Sequence, residues 1–223
     1  MFSRPMSRLA RAAAVELDRR RLLGLVLLAA LPAAAYGADP AAAEASATVA
    51  RFYDGLLADM KAGKKVDFQR RFAMLAPVID QVFDLQTVLA VSVGPRWAGL
   101  APDQQDRLLG AFRRYTVASY VASFDSYAGQ TLSVLPDPRP CGGGEVVVQT
   151  RIVPTGGDAT KLDYVMKQTP AGWKIVDVLA DGAISRVAVQ RSDFRGVLAN
   201  GGGDALLASL QRKTSDLSGG SMA

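Results

Sequence analysis

The sequence predicts an α+β fold in which amphipathic helices precede, and then close over, an antiparallel sheet of about four strands. Three observations carry this expectation. From Thr48 to Phe124 the apolar residues recur at helical spacing, and after Gly129 their period falls to two. The period-two runs are joined by turns so short that consecutive strands must be antiparallel neighbours. At 223 residues, 49% hydrophobic and 21% charged, the chain is long enough for one sizeable core and short for two.

The elements follow in order. Asp39 to Ala47 is an alanine-rich lead, expected to be poorly ordered. Val49, Phe52, Tyr53, Leu56, Leu57 and Met60 then make one apolar stripe with Arg51, Asp54, Asp59 and Lys61 on the other side, and Ala62-Gly63 ends the helix. Phe68, Phe72, Leu75, Ile79, Val82 and Phe83 mark a second helix, in which Pro77 predicts a kink or a fresh start. Asp84 is placed to cap a third, short helix through Leu85, Val88, Leu89 and Val91, which stops at Gly94-Pro95. Pro102 and Asp103 open a long helix whose broad face carries Leu108, Leu109, Phe112, Tyr115, Ser119, Tyr120 and Phe124, with Arg107, Arg113 and Arg114 at its rim.

Strands are expected at Thr131 to Leu135, Glu145 to Val153, Lys161 to Gln168 and Trp173 to Ala180, with turns at Thr155-Gly156-Gly157-Asp158 and Pro170-Ala171-Gly172. Val146, Val148, Thr150 and Ile152 share one side, and Leu162, Tyr164 and Met166 supply a second apolar row. In the last strand Ile175, Asp177 and Leu179 oppose Val176, Val178 and Ala180. A turn at Asp181-Gly182 and a β-branched run from Ile184 to Val189 lead to a helix from Ser192, its expected cap, to Ala199. Beyond Gly201-Gly202-Gly203 a final helix, capped by Asp204, turns Leu206, Leu207 and Leu210 inward. Lys213 to Ala223 reads as a frayed tail, so the expected layout is one domain over 48–213 and a flexible tail over 214–223, with no internal repeat.

The formal charge of +5 is concentrated at the start. Six arginines against Glu16 and Asp18 give residues 1–37 a net +4, which leaves +1 for the rest and little attraction for nucleic acid. That segment has a basic region, an apolar run from Leu22 to Leu31, and small residues at Ala33-Ala34-Ala35 or Ala35-Tyr36-Gly37 where a signal peptidase would cut. The run is about half of the roughly 20 residues a spanning helix needs, which favours a cleaved secretory signal over an uncleaved anchor. Arg19-Arg20-Arg21-Leu22-Leu23 loosely matches a twin-arginine signal behind an unfavourable Asp18, so the export route stays open.

The chain has no histidine and one cysteine, Cys141, in a loop-like Pro138-Arg139-Pro140-Cys141-Gly142 stretch. Ser-His-Asp and Cys-His arrangements and the usual metal shells are thereby removed. Carboxylates such as Asp125 and Asp177 remain, without a spacing that separates an acid/base pair from caps and surface charges. The triple glycines lack the context of a phosphate loop and read as joints. No catalytic residue, metal site or cofactor is expected.

WKIVDVLADGAISRVAVQRSDFRGVL, from Trp173 to Leu198, followed by GGGDALLASLQRK, resembles the C-terminal half of the MlaC-type, or toluene-tolerance, family of periplasmic lipid-binding proteins. Ser92 to Gln130 is most similar to the hopanoid-associated branch of that family. With LAPVIDQVFDL, from Leu75 to Leu85, the resemblance covers nearly all of the chain beyond the signal. It implies a curved sheet wrapped by helices around an apolar cavity, and a periplasmic carrier of phospholipid or hopanoid-type lipid. It further implies an inner-membrane transporter or exporter as partner, and an outer-membrane complex for the phospholipid case.

Physically, a carrier must hide acyl chains, at about 0.8 kcal/mol per methylene. The apolar stripes and strand rows can do this by standing apart around a ligand, or they can meet in a dry core; their pattern alone fits both. The resemblance favours the cavity, with Phe72, Leu75, Ile79, Val82, Phe83, Leu89, Leu109, Phe112, Tyr120, Val148, Ile152, Tyr164, Met166, Val176 and Val178 as candidate lining. Arg113 and Arg114 either meet an anionic headgroup or form a solvated helix face. Two other readings remain: a small-molecule enzyme, with Asp125 or Asp177 turned into the cavity at raised pKa, and an envelope interaction module with a filled core.

Overall fold

The computed structural model describes residues 40–222; the segment read as a signal, residues 1–37, lies outside them, as does Ala223. Four helices come first: α1 (Pro40–Ala62), α2 (Phe68–Val82), α3 (Leu85–Val93) and α4 (Pro102–Ser123). The alanine-rich lead is therefore helix and not a loose arm. Alanine is the best helix former, and Ala45 is buried in the core, so packing holds what propensity starts. Pro77 lies inside α2 without ending it, because Leu75, Ala76 and Ile79 are buried on both sides of the missing amide bond. Asp84 caps α3 as expected, its Oδ1 accepting from the Thr87 N–H at 2.9 Å.

Seven strand segments follow: β1 (Thr131–Val134), β2 (Arg139–Gly142), β3 (Glu145–Val148), β4 (Thr150–Val153), β5 (Thr160–Thr169), β6 (Gly172–Ala180) and β7 (Ile184–Ser185). They make an open, curved antiparallel sheet. β3 and β4 are one expected run broken at Gln149; both pair with β5 in a single register, Val148↔Tyr164 and then Arg151↔Lys161. β1 and β2 flank β4 and β3 in turn, so the segments lie as four rows plus the two-residue β7. β2 was not expected: the Cys141 loop is an edge strand, turned back into β3 by Gly142, Gly143 and Gly144 at φ 93°, 61° and 77°. Cys141 is exposed there, 4.0 Å from Glu145 Oε2.

β6 departs from simple alternation. Met166 pairs with Ile175 while Tyr164 pairs with Val178, so Ile175 and Val178 share the inner face and a bulge at Val176 absorbs the extra residue. This replaces the expected row of Val176, Val178 and Ala180. At the free edge of β6 the α2–α3 junction takes the place of a strand: Phe83 bridges Ile175, and the Asp84 N–H donates to the Ile175 carbonyl at 3.0 Å.

The last helix, α5 (Arg186–Leu217), starts where a β-branched strand was expected. Its cap is Ser185, whose Oγ accepts from the Ala188 N–H at 2.9 Å, and Ser192 lies inside the helix. Gly201 and Gly202 break the helical geometry, Gly202 at φ 64°, and the helix resumes from Gly203 without Asp204 as cap. The stretch read as a tail is helical to Leu217. Thr214 is buried, and the Met222 carbonyl accepts from Arg114 Nη2 at 3.0 Å.

The core has an ionic knot that the stripe pattern hides. Asp59, expected on the polar side of α1, is fully buried against Arg71 of α2, with bonds of 2.6 and 3.2 Å. Arg71 Nη2 also donates to the carbonyls of Val121 and Phe124 at the end of α4, at 3.0 and 2.9 Å. Burial pushes the Asp59 pKa upward, against the pull of the Arg71 hydrogen bond and charge. Nearby, Phe52 meets Phe83, Tyr120 and Tyr164 edge-on, with ring centroids 5.4, 5.1 and 5.9 Å apart. Tyr53 reaches the β3–β4 break, its hydroxyl 2.5 Å from Thr150 Oγ1.

Arg71→Met strands a buried carboxylate and two carbonyls, and is expected to cost about 3–5 kcal/mol in urea unfolding. The double variant Asp59→Leu/Arg71→Met should recover part of that loss. Equal costs for single and double variants would rule out the pairing as the source.

Candidate lipid site

The core takes most of the space between helices and sheet, because α1 lies across the middle of the sheet. What remains open is a cavity of about 320 Å³ at one end. One wall is α4, where Phe112, Thr116 and Tyr120 recur every four residues beside Tyr115, Ser119 and Ser123, so that a single helical face presents both rows. Phe83, Leu85 and Val88 close a second side from the α2–α3 junction. The floor is Leu162 of β5 with Asp177, Val178 and Ala180 of β6, and the rim is the first turn of α5, with Arg186, Val187 and Gln190.

Of the fifteen candidates, Phe83, Phe112, Tyr120 and Val178 line this cavity. Leu109 lines a neighbouring hollow of about 350 Å³ that shares Phe83 and Leu85 with it. Leu75, Ile79, Val82, Leu89, Val148, Tyr164 and Met166 are buried in the core, and Val176 is buried at the bulge. Phe72 and Ile152 are half-buried, the first against the core and the second in β4 between Leu132 and Thr160. The pattern alone fitted a dry core as well as a cavity, and most of the candidates lie in the core while four line the cavity.

Several of the polar groups around the cavity are satisfied within the fold. Asp177 Oδ1 accepts from the N–H groups of Val178 and Val187 at 2.7 and 3.0 Å, and Oδ2 accepts from Ser185 Oγ at 2.5 Å. The carboxylate thus buckles β6 to the start of α5, where a negative charge also suits the helix dipole. Thr116 and Ser119 donate to carbonyls one turn back in α4, at 2.9 and 2.7 Å. Burial raises the pKa of the Tyr120 hydroxyl above its ordinary value. Asp125 is outside the cavity, paired with Lys64 at 2.8 Å, and that bond holds its carboxyl below the usual range. The enzyme reading asked for the opposite shift. Among the described residues no group of three or more His, Cys, Asp or Glu is arranged to hold a metal.

Comparison with known proteins agrees with this architecture. The family model described as MlaC protein matches residues 50–212. The chain belongs to the MlaC family. No curated protein matches it. Among solved structures it is similar to a phospholipid-binding protein from Ralstonia solanacearum, solved in complex with a phospholipid, at 23% identity and a TM-score of 0.67. The match covers 78% of this chain and 98% of that one, so the two share a fold over nearly the whole of the smaller protein.

In this MlaC-family chain the lining residues outside the fifteen candidates come most often from α4 and its end, at Tyr115, Thr116, Ser119, Ser123 and Phe124, and α5 adds three more. Of these, Arg186 and Val187 fall in a β-branched run, Ile184 to Val189, that reads as strand, and Gln190 directly follows it. A Ser-x-x-Ala cap at Ser185 was the available signal, weaker than the apolar pattern around Ser192. Arg113 and Arg114 are both engaged, the first by Asp80 at 2.7 and 2.6 Å and the second by the Met222 carbonyl.

Ser185→Ala is expected to lower stability by about 1 kcal/mol, whereas Ser192→Ala should fall within about 0.5 kcal/mol of wild type. Thermal unfolding of the two variants checks this, and the reverse ranking would return the helix start to Ser192.

Proposed function

We propose that this chain is a periplasmic lipid carrier that binds a phospholipid or hopanoid-type lipid by its chains and shuttles it between the inner and outer membranes. The carrying observation is the apolar cavity of about 320 Å³ between sheet and helices of a MlaC-family fold. Two further facts support it. The structurally similar Ralstonia solanacearum protein was solved with a phospholipid, and residues 1–37 have the composition of a secretory signal. The resemblance of Ser92 to Gln130 to the hopanoid-associated branch supports a polycyclic cargo as the variant of the same reading.

Ligand cavities commonly span about 300–1,000 Å³, so this one is at the small end and holds part of a lipid, leaving the head at the α5 rim. Burying even ten methylenes returns about 8 kcal/mol, enough to hold a lipid in water yet within reach of a membrane competitor. Loading and release then need no chemistry in the carrier: the free-energy difference between donor, carrier and acceptor sets the direction. Its partners on this reading are an inner-membrane transporter or exporter and an outer-membrane complex.

Native mass spectrometry of the protein purified from its own envelope, with extraction of any adduct, is the test. One lipid per chain is expected, and Val178→Trp, which fills the floor of the cavity, should remove most of it while the fold still melts cooperatively. A clean mass with no uptake from liposomes would overturn the carrier reading in favour of an envelope interaction module.

A further inference from the structure

The polar groups around the cavity divide into those the protein satisfies itself and those left over. Thr116, Ser119 and Asp177 are bonded within the fold, and Gln190 Oε1 is 3.3 Å from Ser92 Oγ. Arg186 is different. It lines the cavity, yet among the described residues its guanidinium makes no hydrogen bond and no ion pair. Asp177 is the one acid in the lining, and its oxygens are taken by Val178, Val187 and Ser185. The Arg186 charge reaches the Tyr120 hydroxyl, where it opposes the upward push of burial.

An unpaired surface arginine is ordinarily just solvated. Three features set this one apart. It lines the same apolar cavity as Tyr120 and Ser123, whose hydroxyls have no hydrogen-bond partner among the described residues. Arg113 and Arg114, the rim arginines that the sequence offered for a headgroup, are already engaged. Finally, the Val187 and Ala188 amides in the first turn of α5 are spent on Asp177 and Ser185, so a negative group arriving here meets the guanidinium more than a bare helix end.

Resting on the carrier reading, we infer that Arg186 binds the anionic group of the cargo, a phosphate or carboxylate, while the chains occupy the apolar wall below it. A guanidinium offers such a group two parallel N–H donors, and at the edge of an apolar cavity those bonds are stronger than in open water. Arg186 is thus the residue that separates acidic lipids from neutral ones: a diacylglycerol or an uncharged polycyclic lipid fills the same wall and leaves the guanidinium unused.

The test uses two lipids with identical chains that differ only by a phosphate, dioleoyl phosphatidic acid and dioleoylglycerol, each offered in phosphatidylcholine vesicles to the delipidated protein. Uptake is read by native mass spectrometry, with inorganic phosphate alone titrated in parallel. Wild type should prefer phosphatidic acid about tenfold, the size of one charge-assisted contact. Arg186→Gln should abolish that preference by lowering phosphatidic acid uptake to the level of dioleoylglycerol, and Arg186→Lys should restore part of it. A preference unchanged in Arg186→Gln, or equal loss of both lipids, overturns the inference. So does saturable phosphate binding lost in Arg186→Gln with no lipid preference, which would assign Arg186 to a free anion. Wild type that takes up neither lipid sinks the carrier reading itself, whereas uptake of both without preference sinks only the role of Arg186.

Discussion

The arrangement of the helices depends on one buried guanidinium. Arg71 of α2 holds Asp59 of α1 and two carbonyls at the end of α4, so three helices meet at a single planar group. Taking both charges out of water is expensive, and the geometry offsets it by filling most of the fork with acceptors. A purely apolar contact at this point would tolerate sliding between α1 and α2; a bidentate pair with two further carbonyls does not. At Gly55 a Cβ would come within 2.8 Å of the Val78 methyls, a closeness of the same two helices that only glycine allows.

From that fixed frame the division between core and cavity follows. α1 lies against the sheet and supplies Phe52, whose edge-on contacts with Phe83, Tyr120 and Tyr164 fill the middle of the molecule. Phe83 and Tyr120 face both ways, closing the core with one side of the ring cluster and lining the cavity with the other. The open space is therefore not a packing defect spread through the interior. It begins where α1 no longer covers the sheet, and it is bounded by α4, the α2–α3 junction and the Asp177 buckle between β6 and α5.

How much of this was legible in the sequence varies with the range of the forces involved. Helices α1 to α4 and strands β5 and β6 were readable because each repeats a local period, and Asp84 because its cap is a local bond. Asp59 was misplaced because a carboxylate on a helix flank looks solvated until its partner, twelve residues on, is seen to be buried too. Ser185 lost to Ser192 because β-branched residues from Ile184 to Val189 speak for a strand, while the bond that Asp177 accepts from Val187 ends β7 at Ser185 and starts the helix at Arg186. The bulge at Val176 has no local signature, yet it decides that Val178 faces the cavity. Resemblance to a family supplied the expectation of a cavity that periodicity left open, and only packing could say which four of the fifteen candidates line it.

The outer edge of the sheet has a consequence for how molecules of this protein meet one another. β1 and β2 are four residues each, separated by Pro136-Asp137-Pro138 with Asp137 at φ 63°, and Pro140 within β2 has no N–H to offer. The opposite edge is occupied by the α2–α3 junction at Ile175. Beyond residue 37 the chain carries a net charge of only +1, so mutual repulsion does little to keep copies apart. What disfavours edge-to-edge pairing is instead in the backbone: among the described residues neither border presents an unbroken ladder for a second chain to extend.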